Sequence, residues 1–255
     1  MGKRIRVVTP VLSDGFLRQA EQFQPVAGWQ TEISQVQIER GPASIECELD
    51  EALAVPDTVA RIIEAERDGV DAVVIDCMGD PGMHAAREAV SIPVLGPGEA
   101  TMHIASILGH RFSIITVLSS CIPMMENQAK IYGLADKLAS VRSVDIPVLE
   151  LEQDTPRLVQ ALVDESIEAI EKDGAHVIIF GCTGMLGCAL GVQEGLVRRG
   201  YAGVPVIDPV PAAIKLAEAL VDLGLSQSKR TYQSPPPKRI VGYDLPERER
   251  VAVPA

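Results

Sequence analysis

The sequence predicts an α/β fold of two pseudo-symmetric, Rossmann-like (flavodoxin-like) domains, each built on a parallel sheet. Three observations carry that expectation. Short β-branched runs alternate with amphipathic helical stretches along the chain. The segment Glu66–Gly79 returns 105 positions later as Glu171–Gly184, with Gly69 matching Gly174 and Cys77 matching Cys182. The length, 255 residues, suits one large or two small domains, each with its own core.

Taken in order, the apolar runs Ile5–Leu12, Asp71–Asp76, Ile92–Leu95, Phe112–Leu118, His176–Phe180 and Val204–Ile207 read as strands buried on both faces. Helices fall between them. Asp57 or Thr58 is placed to cap one with Val59, Ile62 and Ile63 inward, closed by Gly69. Thr155-Pro156 opens another, with Leu158, Leu162, Ile167 and Ile170 inward and Gly174 after its end. Ile92–Pro97 matches Val204–Pro209, and each precedes a helix ending in Leu-Gly, at Gly109 and Gly224. Arg4–Thr9 echoes Arg111–Thr116. Spacing kept over several elements marks an internal repeat. From Ser226, with Pro235-Pro236-Pro237, the chain reads as an extended arm strapped across the other half or a neighbouring subunit.

Composition narrows the function classes. Lys and Arg total 23 against 35 Asp and Glu, a net charge of −12, so nucleic acid and anionic membranes are not expected partners. No apolar stretch reaches the roughly 18 residues of a membrane helix, and Val7–Leu12 is too short for a signal-peptide core, so a cytoplasmic location is expected. Five cysteines at 47, 77, 121, 182 and 188 include no CxxC, which disfavours a disulfide framework or a structural metal. The four histidines pair with none of them by spacing, and Gly79-x-x-Gly82 and Gly184-x-x-Gly187 match no phosphate-loop pattern.

The chemistry rests on Cys77 and Cys182. Each stands where a buried strand gives way to a Gly-containing turn, the end at which open α/β sheets bind ligands. A lone cysteine there usually packs; two at matching positions of two halves can face one cleft. Free N–H groups at such a turn are expected to favour thiolate. Inverting a carbon beside a carbonyl takes a base on one face and an acid on the other, roles a thiolate and a thiol perform in either direction. N–H groups after each cysteine and near Ser119-Ser120 would stabilise the carbanion's oxygen. The reaction requires no metal and no pyridoxal phosphate. Asp76 and Asp80 are candidates to tune Cys77 or to cap helices, and Cys47, Cys121 and Cys188 read as structural.

Several segments resemble the hydantoin and allantoin racemase branch of the Asp/Glu racemase superfamily. They are Gly41–Glu46 followed by Asp50–Pro56, Cys77–Gly82 with Ala85–Glu88, Gly98–His103, Leu108–Ser113, Pro123-Met124 through Leu134, Gly181–Met185 and Asp208–Val210. The resemblance runs from about residue 4 into the Pro-rich tail. It implies an active site between two domains, with Cys77 and Cys182 as the acid/base pair. It further implies substrate contacts at Pro10, Val11, Ile45, Met78, Gly79, Ser119, Ser120, Thr183 and Gly184, no cofactor, and a homo-oligomer. The implied division is 1–98 plus 210–255 against 99–209. Two features depart from the branch. The first loop reads Thr9-Pro10-Val11-Leu12 where members often have an Asn-Pro-Asn-Thr-like turn, and Met78 and Thr183 follow the cysteines where an aromatic residue and Ala are common.

The expected function is cofactor-independent racemisation of a 5-substituted hydantoin or allantoin-like compound. The alternatives are decarboxylation or cis–trans isomerisation of a small dicarboxylate (arylmalonate or maleate type), aspartate or glutamate racemisation, a non-catalytic ligand-binding role and a redox role for the thiols.

Overall fold

A computed structural model describes residues 2–13, 20–243 and 245–246. Two four-stranded parallel sheets form its frame. The first has the order β2 (Thr31–Gln37), β1 (Lys3–Thr9), β3 (Ala72–Ile75), β4 (Val94–Leu95). The second has β6 (Leu138–Ser143), β5 (Phe112–Thr116), β7 (Val177–Phe180), β8 (Val206–Ile207), the same order shifted by four strands. The helices are α1 (Ala20–Phe23), α2 (Glu48–Arg67), α3 (Met83–Ala89), α4 (Pro97–Leu108), α5 (Ile122–Ile131), α6 (Thr155–Asp173), α7 (Ala189–Arg198) and α8 (Pro209–Asp222).

The repeat seen in the sequence extends to single hydrogen bonds. The Arg4 guanidinium donates to the Asp68 and Gly69 carbonyls at the end of α2, and Arg111 donates to the Asp173 carbonyl at the end of α6. Gly69 and Gly174 both sit at φ 74°, the left-handed conformation that ends a helix at little strain only for glycine. The Asp76 N–H donates to the Val8 carbonyl and the Gly181 N–H to Ile115, so each cysteine strand leaves its sheet at the same height.

The central strands β3, β5 and β7 are buried along their whole length, as strands covered by helices on both faces must be, and β1 is buried from Val7 to Thr9. The edge strands β2 and β6 have no counterpart among the predicted runs. Every residue of β6 is half-buried, and β2 alternates polar and apolar in Glu32-Ile33-Ser34, so neither reads as an apolar run. Two predicted strands overshoot. Pro10–Leu12 lies beyond β1, where Pro10 has no N–H for the ladder, and Val117-Leu118 lies beyond β5.

The helix expected to start at Asp57 or Thr58 starts ten residues earlier, with Cys47 at its cap and Pro56 inside. Asp57 instead turns its carboxylate from mid-helix to the Glu39 N–H, at 2.5 Å. Thr155-Pro156 does open α6, capped by the Asp154 carboxylate.

The helices after β4 and β8 pack differently from a simple tandem. Met102 and Ala105 of α4 join the core of the second sheet with Phe112, Ile114 and Ile179. Val210, Ala213, Ile214 and Ala217 of α8 return to the first sheet, against Ile5, Val7 and Val74. The tail stays on the first half. Gln227 exchanges hydrogen bonds with the Val94 backbone, and Lys229 Nζ donates to the Arg87, Glu88 and Val90 carbonyls at the end of α3.

Candidate active site

Because β3 and β7 end at equivalent points, Cys77 and Cys182 start equivalent turns. The Gly184 N–H donates to Cys182 Sγ at 3.3 Å, and the Gly79 N–H donates to Cys77 Sγ. These are the same bond in the two halves. The turns touch: Thr183 Oγ1 donates to the Asp76 carbonyl at 3.1 Å, joining the residue after one cysteine to the residue before the other.

Both thiols line one small cavity of about 30 Å³. Of the predicted contact residues, Ile45, Met78, Gly79 and Thr183 share its wall. Pro10 and Val11 are buried and not in this wall, with Val11 in the core cluster that Ile45 and Cys182 pack against. Ser119 and Ser120 are exposed and outside this wall, and Gly184 reaches it only through its N–H on Cys182. The remaining wall comes from Val117, Cys121, Met124, Met125 and Gly181. Cys121, read as structural from the sequence, thus fronts the cavity; its place just after the Ser119-Ser120 turn was the available signal. Met124 and Met125 carried none, since apolar residues at helical spacing read as core. A larger cleft of about 450 Å³ lies between α2 and tail residues Gly242, Tyr243 and Leu245, but it contains no cysteine.

The electrostatics differ from the sequence expectation at Cys77. Its thiol is pushed well up from the ordinary value, chiefly by burial. Cys182, Glu51 and Asp80 raise it further, and the Gly79 N–H only partly opposes them. The turn's N–H groups therefore do not make Cys77 a thiolate; desolvation and neighbouring negative charge win. Burial and these charges favour the protonated form of Cys77.

Asp80 ties this turn to the rest of the molecule. Its carboxylate accepts the Gly98 and Glu99 N–H groups at the start of α4, both at 2.8 Å, and the Tyr132 hydroxyl at 2.6 Å. It caps a helix and, through its charge, also raises Cys77. Burial lifts Asp80 to about 7, and the three donors hold it from rising further. Gln128 Nε2 donates to the Met78 carbonyl, so α5 grips the loop from the other side.

A segment of the first half closes over the second. The Glu46 carbonyl accepts the Ser120 hydroxyl at 2.9 Å and the Cys121 thiol at 3.5 Å, while its carboxylate accepts the Val148 N–H at 2.7 Å. These contacts hold Ile45 against the cavity.

Residues 15–217 match the family described as Asp/Glu/hydantoin racemase. The chain belongs to the Asp/Glu/hydantoin racemase family. It is 39% identical over 241 residues to a hydantoin racemase of Pseudomonas sp. (strain NS671), covering 94% of each chain. An allantoin racemase from Klebsiella pneumoniae superposes with a TM-score of 0.86 at 36% identity, covering 94% of this chain and 97% of that one. Unliganded arylmalonate decarboxylase, at 18% identity and a TM-score of 0.59 over 86% of this chain and 92% of its own, has the same fold. Among the described residues no helix is long and apolar enough to cross a membrane.

Proposed function

We propose that the chain racemises a small cyclic or open ureide of the hydantoin or allantoin type, with Cys77 and Cys182 as its two acid/base groups. The observation that carries this reading is the placement of both thiols, from equivalent turns of two equivalent sheets, on one cavity. Neighbouring loops of one sheet would set two thiols side by side. Loops from two facing sheets set them across a bound molecule, as inversion requires. The hydantoin and allantoin racemases among its relatives support the substrate class.

In the resting enzyme Cys77 holds its proton, so Cys182 is the sulfur that takes hydrogen first. The Cys182 thiolate removes the proton from the carbon beside the carbonyl, and Cys77 S–H delivers its own to the opposite face. Cysteine roles are then exchanged and the reverse reaction runs from that state. Negative charge developing on the carbonyl oxygen is met by turn N–H groups. Residues 1–98 with 210–255 would form one wall of the cleft and 99–209 the other.

The cavity of about 30 Å³ holds one or two waters and not a ureide ring. Glu46, bonded to Ser120, Cys121 and Val148, joins the two halves beside this cavity. The test is direct. One enantiomer of a 5-substituted hydantoin or of allantoin, incubated in heavy water, should yield both enantiomers with deuterium at the stereocentre of the product. Unchanged optical rotation across a panel of both classes overturns the reading. Carbon dioxide released from an arylmalonate would favour the decarboxylase alternative instead.

A further inference from the structure

Glu51 has no role in the reaction as described, yet it is placed against the Cys77 turn. It lies in the first turn of α2, well before Cys77 in sequence. A Cβ built on Gly79 would sit 3.0 Å from Glu51 Oε2 and 3.7 Å from Cys77 Sγ, so the carboxylate and the sulfur converge on a single point. Glycine at 79 is what leaves room for both.

Structural reasons for a carboxylate in this position are lacking. Among the described residues no hydrogen bond or ion pair reaches the Glu51 side chain, although it is half-buried. The acidic groups around it are Glu48 on its own helix and Asp80 after β3, with Cys77 itself beside them and Cys182 across the cleft. A partnerless carboxyl among other acids is unfavourable for folding alone.

We infer that Glu51 is a positioning residue for Cys77, its charge adding to burial in keeping the proton on that sulfur. The inference rests on the two-cysteine reading for its catalytic meaning, but its physical content is a property of one thiol. When ionised, Glu51 opposes a second negative charge on Cys77 Sγ; when protonated, it does not. Burial and the neighbouring Glu48 and Asp80 raise Glu51 to about 7, so this change falls near neutral pH. As pH rises through about 7, Glu51 gains its charge and Cys77 becomes harder to ionise. No atoms are transferred to or from Glu51 in turnover. It acts only through the sulfur.

The consequence for catalysis is asymmetric. The direction in which Cys77 must serve as base gains less from rising pH than it would beside a neutral Glu51. Because a racemisation has an equilibrium constant of one, the two kcat/KM values stay equal, and the asymmetry appears in the ratio of the two kcat values.

The test measures the thiol without turnover. In chains carrying Cys182→Ser, iodoacetamide labelling of Cys77 is followed by peptide mass spectrometry from pH 6 to 10. Glu51→Gln should raise the labelling rate at pH 8 by about three- to tenfold, the effect of removing one nearby charge on a thiol. Glu51→Asp, which keeps the charge one methylene further away, should fall between. In chains with both cysteines, Glu51→Gln should also bring the ratio of the two kcat values toward one above pH 7. Suppose the labelling curves superpose for the chain with Glu51 intact and for its Glu51→Gln and Glu51→Asp variants, with equal melting temperatures. That result overturns the inference even if both cysteines prove essential. A shifted curve supports it even if Cys77→Ser leaves racemisation intact, an outcome that would sink the two-base reading alone.

Discussion

The Cys77 turn and the Cys182 turn share a backbone and differ in surroundings. Both follow the second strand from an edge, both start where the strand's last N–H pairs across to its neighbour, and both receive an N–H from the glycine two residues on. Around Cys77, however, stand Glu51 and the Asp80 carboxyl, itself tied to α4 and Tyr132. A repeated fold thus gives two similar sulfur positions, and side chains from other elements raise the Cys77 thiol.

The comparison can be broken most severely at the cysteines. Cys77→Ser and Cys182→Ser should each lower racemisation by roughly 10²–10⁴-fold, the range for losing a general acid or base, as measured by chiral chromatography. Equal retention of activity in both would remove the functional half of the comparison.

Tyr132→Phe comes next. It takes one donor from the buried Asp80 carboxylate and should destabilise the fold by about 1–3 kcal/mol in urea unfolding. Labelling of Cys182 should be unaffected, because Asp80 stands on the other turn.

The two halves also differ in their covering. Only the first, among the described residues, has the tail across it, with Lys229 closing the last turn of α3 through three carbonyls. Lys229→Ala should cost about 1–2 kcal/mol, and hydrogen exchange should quicken in α3 while α6 stays protected.

The smallest expected effect is on the pH dependence of stability. Glu51 and Asp80 are raised to about 7 in the fold from ordinary values of 4.5 and 3.8. Between about pH 5 and 7 the folded chain therefore holds more protons than the unfolded one, and stability falls as pH rises through that window. A fall in melting temperature is expected across it, with Asp80 contributing more than the half-exposed, screened Glu51. Glu51→Gln should flatten the slope. A melting temperature that rises steadily from pH 5 to 7 would contradict the placement of these two carboxyls.

Much of the fold was legible because parallel strands covered on both faces must be continuous apolar runs, and such runs stand out at 72–75, 112–116 and 177–180. The edge strands were not, since half of each faces water and their residues mix polar with apolar. The start of α2 was misplaced for a related reason. Asp57 and Thr58 read locally as helix caps, yet the helix runs back to Glu48 and buries Ala54 as well as Val59, Ile62 and Ile63.

By itself the sequence determined the α/β class, the internal repeat and the matched cysteines, because period, spacing and turn glycines are written in residues close along the chain. Tertiary structure alone decided which groups surround each sulfur. Glu51, Cys121 and Tyr132 reach the site from separate elements, and desolvation depends on how those elements close. For that reason the expected acidic thiol at Cys77 became a protonated one. The charge on a buried group is set by everything packed around it, and a turn's own N–H groups are only one contribution.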